Sequence, residues 1–376
     1  MQYSFSFYRL VLMFLFLSLI SCASKSVPTN PQTTVEENQY NLVLKTHADL
    51  ALELWTATLN DSLILKEQIE LFIKDPNENN LIQAQNSWIV ARKSYSKTEA
   101  LRFQNGPIDH AEQGVESRLN AWPLDELYIE GNELQKGLID SENLELTKEL
   151  LVDKNEALGE ESISLGYHAI EFLLWGVDES KDGPGQRSPQ DFSEGKLAQR
   201  RSQYLTLAID QLCADLDTVK KAWQSDSSHL ETWGNNPQQQ LTGIFNGLII
   251  LAGDEMAGER MAVAYETQDQ EDEQSCFSDN TLNDFKSNLI GMEQIWSTSL
   301  SPLFADDSET QKNINEEFKK TSDQLNKISD PFDQAIVTPE DRVEIELTIT
   351  QLQHLSTSIG RAAQSLGLKS ISLGGH

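Results

Sequence analysis

The sequence predicts an all-α protein built as two helical-bundle domains with a site at their interface. Three observations predict it. From residue 39 onward apolar residues recur at spacings of three and four, the period of an amphipathic helix. Strand-like alternation of useful length is nearly absent. Turn signals fall between the periodic stretches: Asn105-Gly106-Pro107, Gly183-Pro184-Gly185, Asp330-Pro331, and Thr338-Pro339-Glu340 with the look of a helix N-cap. Helices of this kind bury their apolar stripes against one another, which gives bundles. No strict short-period repeat is present, so a solenoid is not expected.

The chain opens on a segment that reads as an address. Residues 1–21 carry Arg9 and an apolar run, Leu10 to Ile20, of signal-peptide length and too short for a comfortable bilayer span. Leu19-Ile20-Ser21-Cys22 resembles a bacterial lipoprotein box, which makes Cys22 the acylated N-terminus of the mature chain. An uncleaved anchor or a plain secretory signal is the alternative, and either still exports the body. Ser24 in place of Asp looks like the outer-membrane sorting choice, facing the periplasm. Residues 22–38 are polar and proline-bearing and read as a flexible tether. Membrane contact is then through lipid only.

The first domain is expected over 39–190. Leu42, Leu44, Leu50, Leu52, Trp55, Leu59, Leu63, Leu65, Ile69 and Phe72 set a helix over 41–73, with no Gly or Pro until Pro76. Further helical stretches lie near 79–103, 143–152 and 161–175. A polar loop at 176–194 marks the boundary. The second domain, 191–376, carries stretches near 195–224, 237–266, 279–298, 308–327 and 338–366. Cys213 and Cys276 could form one disulfide or stay free, and neither has CxxC spacing.

Charge narrows the partners. The 376 residues include 59 acidic and 29 basic side chains, a net charge of −30. Nucleic acid, which needs clustered Lys and Arg, is excluded. The negative field favours cations near the surface.

The chemistry-bearing pair is His168 and Glu171 in Gly166-Tyr167-His168-Ala169-Ile170-Glu171. Residues three apart on a helix share a face, so imidazole and carboxylate could hold one ion. Nitrogen with oxygen suits zinc or iron, and bundle-core iron sites use the reverse order, Glu-x-x-His. The plain alternative is a hydrogen-bonded histidine on an apolar helix.

Five segments in order carry a wider resemblance: Trp88 to His110, Gly166 to Glu171, Arg200-Arg201-x-x-Tyr204-Leu205, Gly253 to Met261 followed by Glu273 to Thr281, and Asp330-Pro331-Phe332-Asp333-Gln334. Together they resemble the imelysin family, also called M75 peptidases or iron-regulated proteins. The resemblance implies two all-helical domains with the motif residues gathered where they meet, a periplasmic and often lipid-anchored location, and a Gly-x-His-x-x-Glu signature at Gly166, His168 and Glu171. Asn105 to Asp109 matches a second family segment. The related iron-uptake domains offer a carboxylate on the helix matched here by Glu99, which makes Glu99 the distant partner of the pair.

The family's function is divided between proteolysis and iron uptake. A thermolysin-type peptidase needs two histidines around its carboxylate, HExxH or HxxEH, and Phe172 follows Glu171. His110 and His354 lack motif spacing. One imidazole with several carboxylates suits iron held for transfer, with zinc second. The leading expectation is therefore a non-enzymatic iron-binding protein, with an iron-uptake protein as its expected partner. A metallopeptidase is the first alternative and an anionic small-molecule or partner-binding module, anchored by Arg102 and Arg260, the second.

The other motif residues each have a plain role beside the functional one. Arg102 orients Glu99, binds an anion, or forms a helix-face ion pair; Asn105 shapes a turn; Asp109, after a Pro-containing turn, caps the next helix. Glu255 and Arg260, five apart, reach the first half or form an interdomain ion pair. Asp279 caps a helix, and Trp88, Trp122, Trp175 and Trp296 pack the core.

Overall fold

The computed structural model describes residues 31–369 apart from 112, 181 and 182, with side chains from residue 38. The signal segment 1–21 and the lipidation site Cys22 lie outside the described residues. Among the described residues no strand occurs, so the all-α expectation holds.

Among the described residues eight longer helices organise the fold: α1 Pro31–Lys74, α2 Glu78–Ser96, α3 Tyr167–Trp175, α4 Ala198–Ala222, α5 Pro237–Ile250, α6 Thr281–Ile295, α7 Glu309–Leu325 and α8 Pro339–Ser365. Two of them continue without a break into wider winding. After α5 the segment Leu251–Ala262 is π-helical, and Trp296–Leu300 follows α6 in the same way. Asn77 starts α2 by accepting a hydrogen bond from the Asn80 amide at 3.0 Å. Thr338 holds the N-cap position of α8 with Pro339 following it, as expected, while its hydroxyl donates to the Gln334 carbonyl at 2.8 Å instead of accepting from the first turn. The stretch expected near 161–175 starts late, at Tyr167, because Gly166 holds a conformation no helix contains.

The α1–α2 hairpin is the frame. α4 packs on α1 and α3, so contacts cross the boundary expected at residue 190; α5 also lies on α1, and α8 lies on α5, α7 and the π segment. Buried residues from both halves, among them Trp55, Trp88, Tyr167, Tyr204, Phe245, Phe285 and Trp296, form one contiguous core. Each such side chain contributes roughly 1.5–3 kcal/mol of burial. Two of its polar tips are matched, Trp88 Nε1 donating to the Tyr167 carbonyl at 2.9 Å and the Tyr204 hydroxyl to the Ser164 carbonyl at 2.8 Å, whereas Trp55 Nε1 and the Tyr95 hydroxyl have no hydrogen-bond partner. Cys213 and Cys276 are free, buried thiols.

Candidate functional site

Placement of the site begins at Gly166. Its φ of +95° belongs to glycine, and a Cβ there would lie 2.7 Å from the Leu119 carbonyl oxygen. Gly166 therefore lets α3 press its first turn against the 117–122 segment. Every residue of α3 is buried, as expected of a helix that is apolar all round except at two positions. Those two are His168 and Glu171, both fully buried.

His168 Nδ1 and Glu171 Oε2 are 2.8 Å apart. Oε1 of Glu171 accepts from the Ser278 amide at 3.0 Å and from the Ser278 hydroxyl at 2.6 Å. Burial pushes the imidazole well below its ordinary range, with Arg92 and Arg260 acting in the same direction. Burial also pushes the Glu171 carboxyl well above the usual carboxylate range, against the Ser278 hydrogen bonds. The 2.8 Å contact holds one proton between Nδ1 and Oε2, and with that proton on Nδ1 the ring's lone pair lies at Nε2. His168 Nε2, the other ring nitrogen, is buried and has no hydrogen-bond partner. Trp122 lies against the ring with centroids 5.1 Å apart.

Glu99 has a different setting from the one its sequence position suggested. It lies on a single 3₁₀ turn, Glu99–Leu101, just beyond α2. Oε2 accepts from Arg260 Nη2 at 2.6 Å, and Oε1 accepts from Asn288 Nδ2 at 3.1 Å. Arg102 Nη1 stands 3.6 Å away and Arg92 Nη2 4.0 Å. Burial alone would raise this carboxyl, but Arg260 and Arg92 outweigh it and hold it at about 2. Glu99 is therefore a charged, fully engaged partner of arginines.

The network continues on both sides. Arg92 donates from Nε to Asp284 at 3.0 Å and from Nη1 to Asn120. Asp284 also accepts from the Ser275 hydroxyl at 2.6 Å. Arg260 Nη2 reaches Glu255 Oε2 at 2.9 Å along its own helix. Residues five apart diverge on an α-helix, but π winding, with its i→i+5 bonding, brings them to one face. Glu255 and Arg260 both reach the first half through ion pairs, Arg260 to Glu99 and Glu255 to Arg102, and they also pair with each other.

Beside the network opens a cleft of about 440 Å³. Six acidic side chains line it, Glu116, Glu156, Glu160, Glu255, Glu259 and Asp272, with Arg102, Arg260, Asn120 and Trp122. Arg102 is held by Glu116 at 3.2 Å and Glu255 at 3.5 Å. Burial raises the Glu116 carboxyl, and Glu99 and Glu255 add to the rise against the opposing Arg102. Asn105, with φ +52°, and Asp109 shape the adjoining turn: Asp109 accepts from the amides of Gly106 at 2.7 Å and Gln104 at 3.1 Å. Among the described residues no three His, Cys, Asp or Glu side chains are grouped to hold a metal ion.

Residues 51–359 match the family model of imelysin, the M75 peptidases. The chain belongs to the imelysin family. Iron-regulated protein A of Synechococcus elongatus is 23% identical over 318 residues, 79% of this chain and 78% of that one. A candidate iron-regulated protein A precursor from Parabacteroides distasonis has the same fold, with TM-score 0.71 at 20% identity, over 91% of this chain and 96% of that one. An imelysin-like protein from Psychrobacter arcticum superposes with TM-score 0.68 at 15% identity, over 90% and 98%.

Within this imelysin-family site, sequence reasoning missed Arg92, Asn120, Ser278, Asp284 and Asn288. A signal existed for two of them. Arg92 and Asn288 fall on helix faces otherwise buried and apolar, between Trp88 and Tyr95 and between Phe285 and Met292, and a polar residue there must find a buried partner. Trp122, expected as packing, packs on His168 and also lines the cleft. His354 is exposed on α8, and His110 lines a smaller depression beside Asp109.

Proposed function

We propose that this imelysin-family protein is exported and lipid-anchored through Cys22, faces the periplasm from the outer membrane, and serves iron handling by taking a metal ion at His168. Iron as cargo is preferred to zinc. The observation that carries the reading is the state of one imidazole: Nδ1 is tied to a carboxylate at 2.8 Å, while Nε2 is buried and unpartnered. Histidine ligands of metals are commonly oriented in this way, the second nitrogen donating to a carboxylate that fixes tautomer and ring angle. Neutral imidazole is also the ligating form.

The donor set fits a metal differently from the set expected from sequence. His168 supplies a free donor nitrogen. Glu171 has both oxygens committed and acts as the residue that orients the ring. Glu99 is neutralised by arginine and stands apart from ligation. One protein donor, with water or a chelator completing the shell, suits cargo that must leave again. A zinc peptidase typically needs three protein ligands and an open water position. The exported location is supported by the lipoprotein box and the family; no helix among the described residues is long and apolar enough to cross a membrane.

The test is metal content of the body, residues 23–376, purified without a chelating tag and incubated with Fe(II) under anaerobic conditions or with Zn(II). About one ion per chain, lost in His168→Ala while the helical signal stays, is the expected result. Equal metal in both proteins would refute the assignment.

A further inference from the structure

Segment 273–280 of the second half reaches across to α3. Ser278 gives its amide and its hydroxyl to Glu171 Oε1 at 3.0 and 2.6 Å, and the Phe277 ring stands 5.3 Å from Phe172 and 5.9 Å from Trp122. The segment is built of turns, not helix. Few bonds hold its shape: the Asn280 amide donates to the Ser275 carbonyl at 3.2 Å, and the Ser275 hydroxyl to Asp284 at 2.6 Å.

Two carboxyl groups of this segment lie in dry surroundings. Glu273 is fully buried, and neither of its oxygens has a hydrogen-bond partner among the described residues. Asp279, in the left-handed conformation at φ +56°, has its Oδ1 buried in the same state. A buried carboxylate left unpaired is costly, so such a group is held neutral. Its surroundings add to this. The 176–188 loop is joined to the segment by the Gly185 amide, which donates to the Phe277 carbonyl at 3.0 Å, and it brings Asp178. The turn at 330–335, packed on α6 through Phe332 and Phe285, brings Asp330 and Asp333, and α3 brings Glu171 beside a neutral His168. Arg260, which donates to Gln274 at 3.2 Å, and Arg92, joined to Ser275 through Asp284, are committed to Glu99, Glu255 and Asp284. Burial, then Asp333, Asp178 and Asp330, raises Asp279 to about 7. Burial, then Asp279 and Asp333, raises Glu273 well above the usual carboxylate range, against the nearby Thr281 hydroxyl.

We infer that segment 273–280 is a pH-sensitive strap closed on the His168–Glu171 pair, with Glu273 and Asp279 as its proton-holding groups. Protonated, the two carboxyls let the strap pack and keep Ser278 on Glu171. Deprotonated, they face other carboxylates in a dry space, and the strap leaves α3. A group that is neutral in the closed strap and ionised in the open one favours opening by up to about tenfold per pH unit, from the ordinary carboxylate value up to its raised one. Acid therefore closes the strap, and a rise toward neutral pH loosens it. The inference rests on His168 being the working group of the site, and it adds the condition under which that buried group is reached.

The test is amide hydrogen exchange of residues 23–376 read by peptide mass spectrometry at pH 5, 6, 7 and 8, with rates corrected for the intrinsic effect of pH. Between pH 5 and pH 7 the protection of 273–280 should fall by about tenfold or more while the amides of α1 keep theirs. In Asp279→Asn, a half-exposed position where the amide suits the same backbone conformation, the fall should shrink to less than half on a logarithmic scale. Ser278→Ala removes the hydroxyl clamp and should lower protection of the strap at every pH, leaving its dependence on pH in place. Protection of 273–280 that is flat with pH, that falls equally in Asp279→Asn, or that is untouched by Ser278→Ala would overturn the strap. Exchange needs no metal, so a pH-sensitive strap in a protein that takes up no ion would refute the metal donor alone, and metal bound at His168 beneath a strap indifferent to pH would refute the strap alone.

Discussion

Arg260 Nη2 donates to Glu99 Oε2 at 2.6 Å across 161 residues, tying the π-helical segment of the second half to the turn that ends α2. Around this contact three guanidinium groups, Arg92, Arg102 and Arg260, meet four carboxylates, Glu99, Glu116, Glu255 and Asp284, mostly out of water. A buried ion pair is weak evidence for net stability, but removal of one partner strands the other.

Arg260→Met should accordingly destabilise the fold by about 3–5 kcal/mol. Glu99→Gln in the same chain should recover part of the loss, because the stranded carboxylate is gone. Urea denaturation of the two single variants and the double variant checks this through the non-additive term.

Gly166→Ala should be costly for two separate reasons, the φ of +95° and a Cβ 2.7 Å from the Leu119 carbonyl. The conformation alone is worth about 1–3 kcal/mol. Gly159→Ala is the contrast, since its φ of +145° is also unfavourable but its Cβ would meet nothing within 4 Å. Thermal melts should place Gly166→Ala clearly below Gly159→Ala.

Acid should act on stability through His47. Burial among Trp223 and Trp233 pulls its folded-state value down to about 4, against the Gln104 hydrogen bond. A depressed histidine is neutral in the fold while the unfolded chain takes up a proton, so its contribution is whole above about pH 6.5 and is lost as pH falls to about 4, up to ~3 kcal/mol. Asp279 works oppositely: burial, with Asp333, Asp178 and Asp330, raises it to about 7, so its contribution is whole below the ordinary aspartate value and is lost as pH rises through 7. The difference between natural protein and His47→Phe, measured by denaturation from pH 4 to 8, isolates the histidine. A flat difference would contradict the assignment.

Both thiols of the body should resist a disulfide reagent in the folded state and react on unfolding, two per chain. Burial raises Cys213 to about 11 and Cys276 well above its ordinary value, which removes the reactive thiolate. Ellman titration with and without guanidinium reads this directly.

Much of the fold was legible in the sequence because helix periodicity is a local property. Leu42 to Phe72 announced α1, and Pro339 with Glu340 announced the start of α8. The late start of α3 was not legible, since the φ of Gly166 answers to Leu119, 47 positions away. The site divides in the same way. The shared face of His168 and Glu171 follows from their spacing, and so does their contact. The engagement of Glu99 by Arg260 and Asn288 does not, because those partners arrive from helices 161 and 189 residues further on. The Glu255–Arg260 pair was hidden by the assumption of α winding, which the π segment replaces.

Metal affinity should separate the roles of the three residues expected as ligands. His168→Ala should abolish binding, Glu171→Gln should weaken it about 10–100-fold as an orienting carboxylate does, and Glu99→Gln should leave it within a few-fold. Calorimetric titration with Zn(II) measures all three.

The most direct test of the donor itself is nitrogen-15 NMR of the histidine-labelled body titrated with Zn(II), His168 being identified by its loss in His168→Ala. The account predicts that the Nε2 resonance of His168 moves to the position of a metal-bound nitrogen at one equivalent while Nδ1 keeps its hydrogen-bonded character. Movement of any other histidine with His168 unchanged would contradict it.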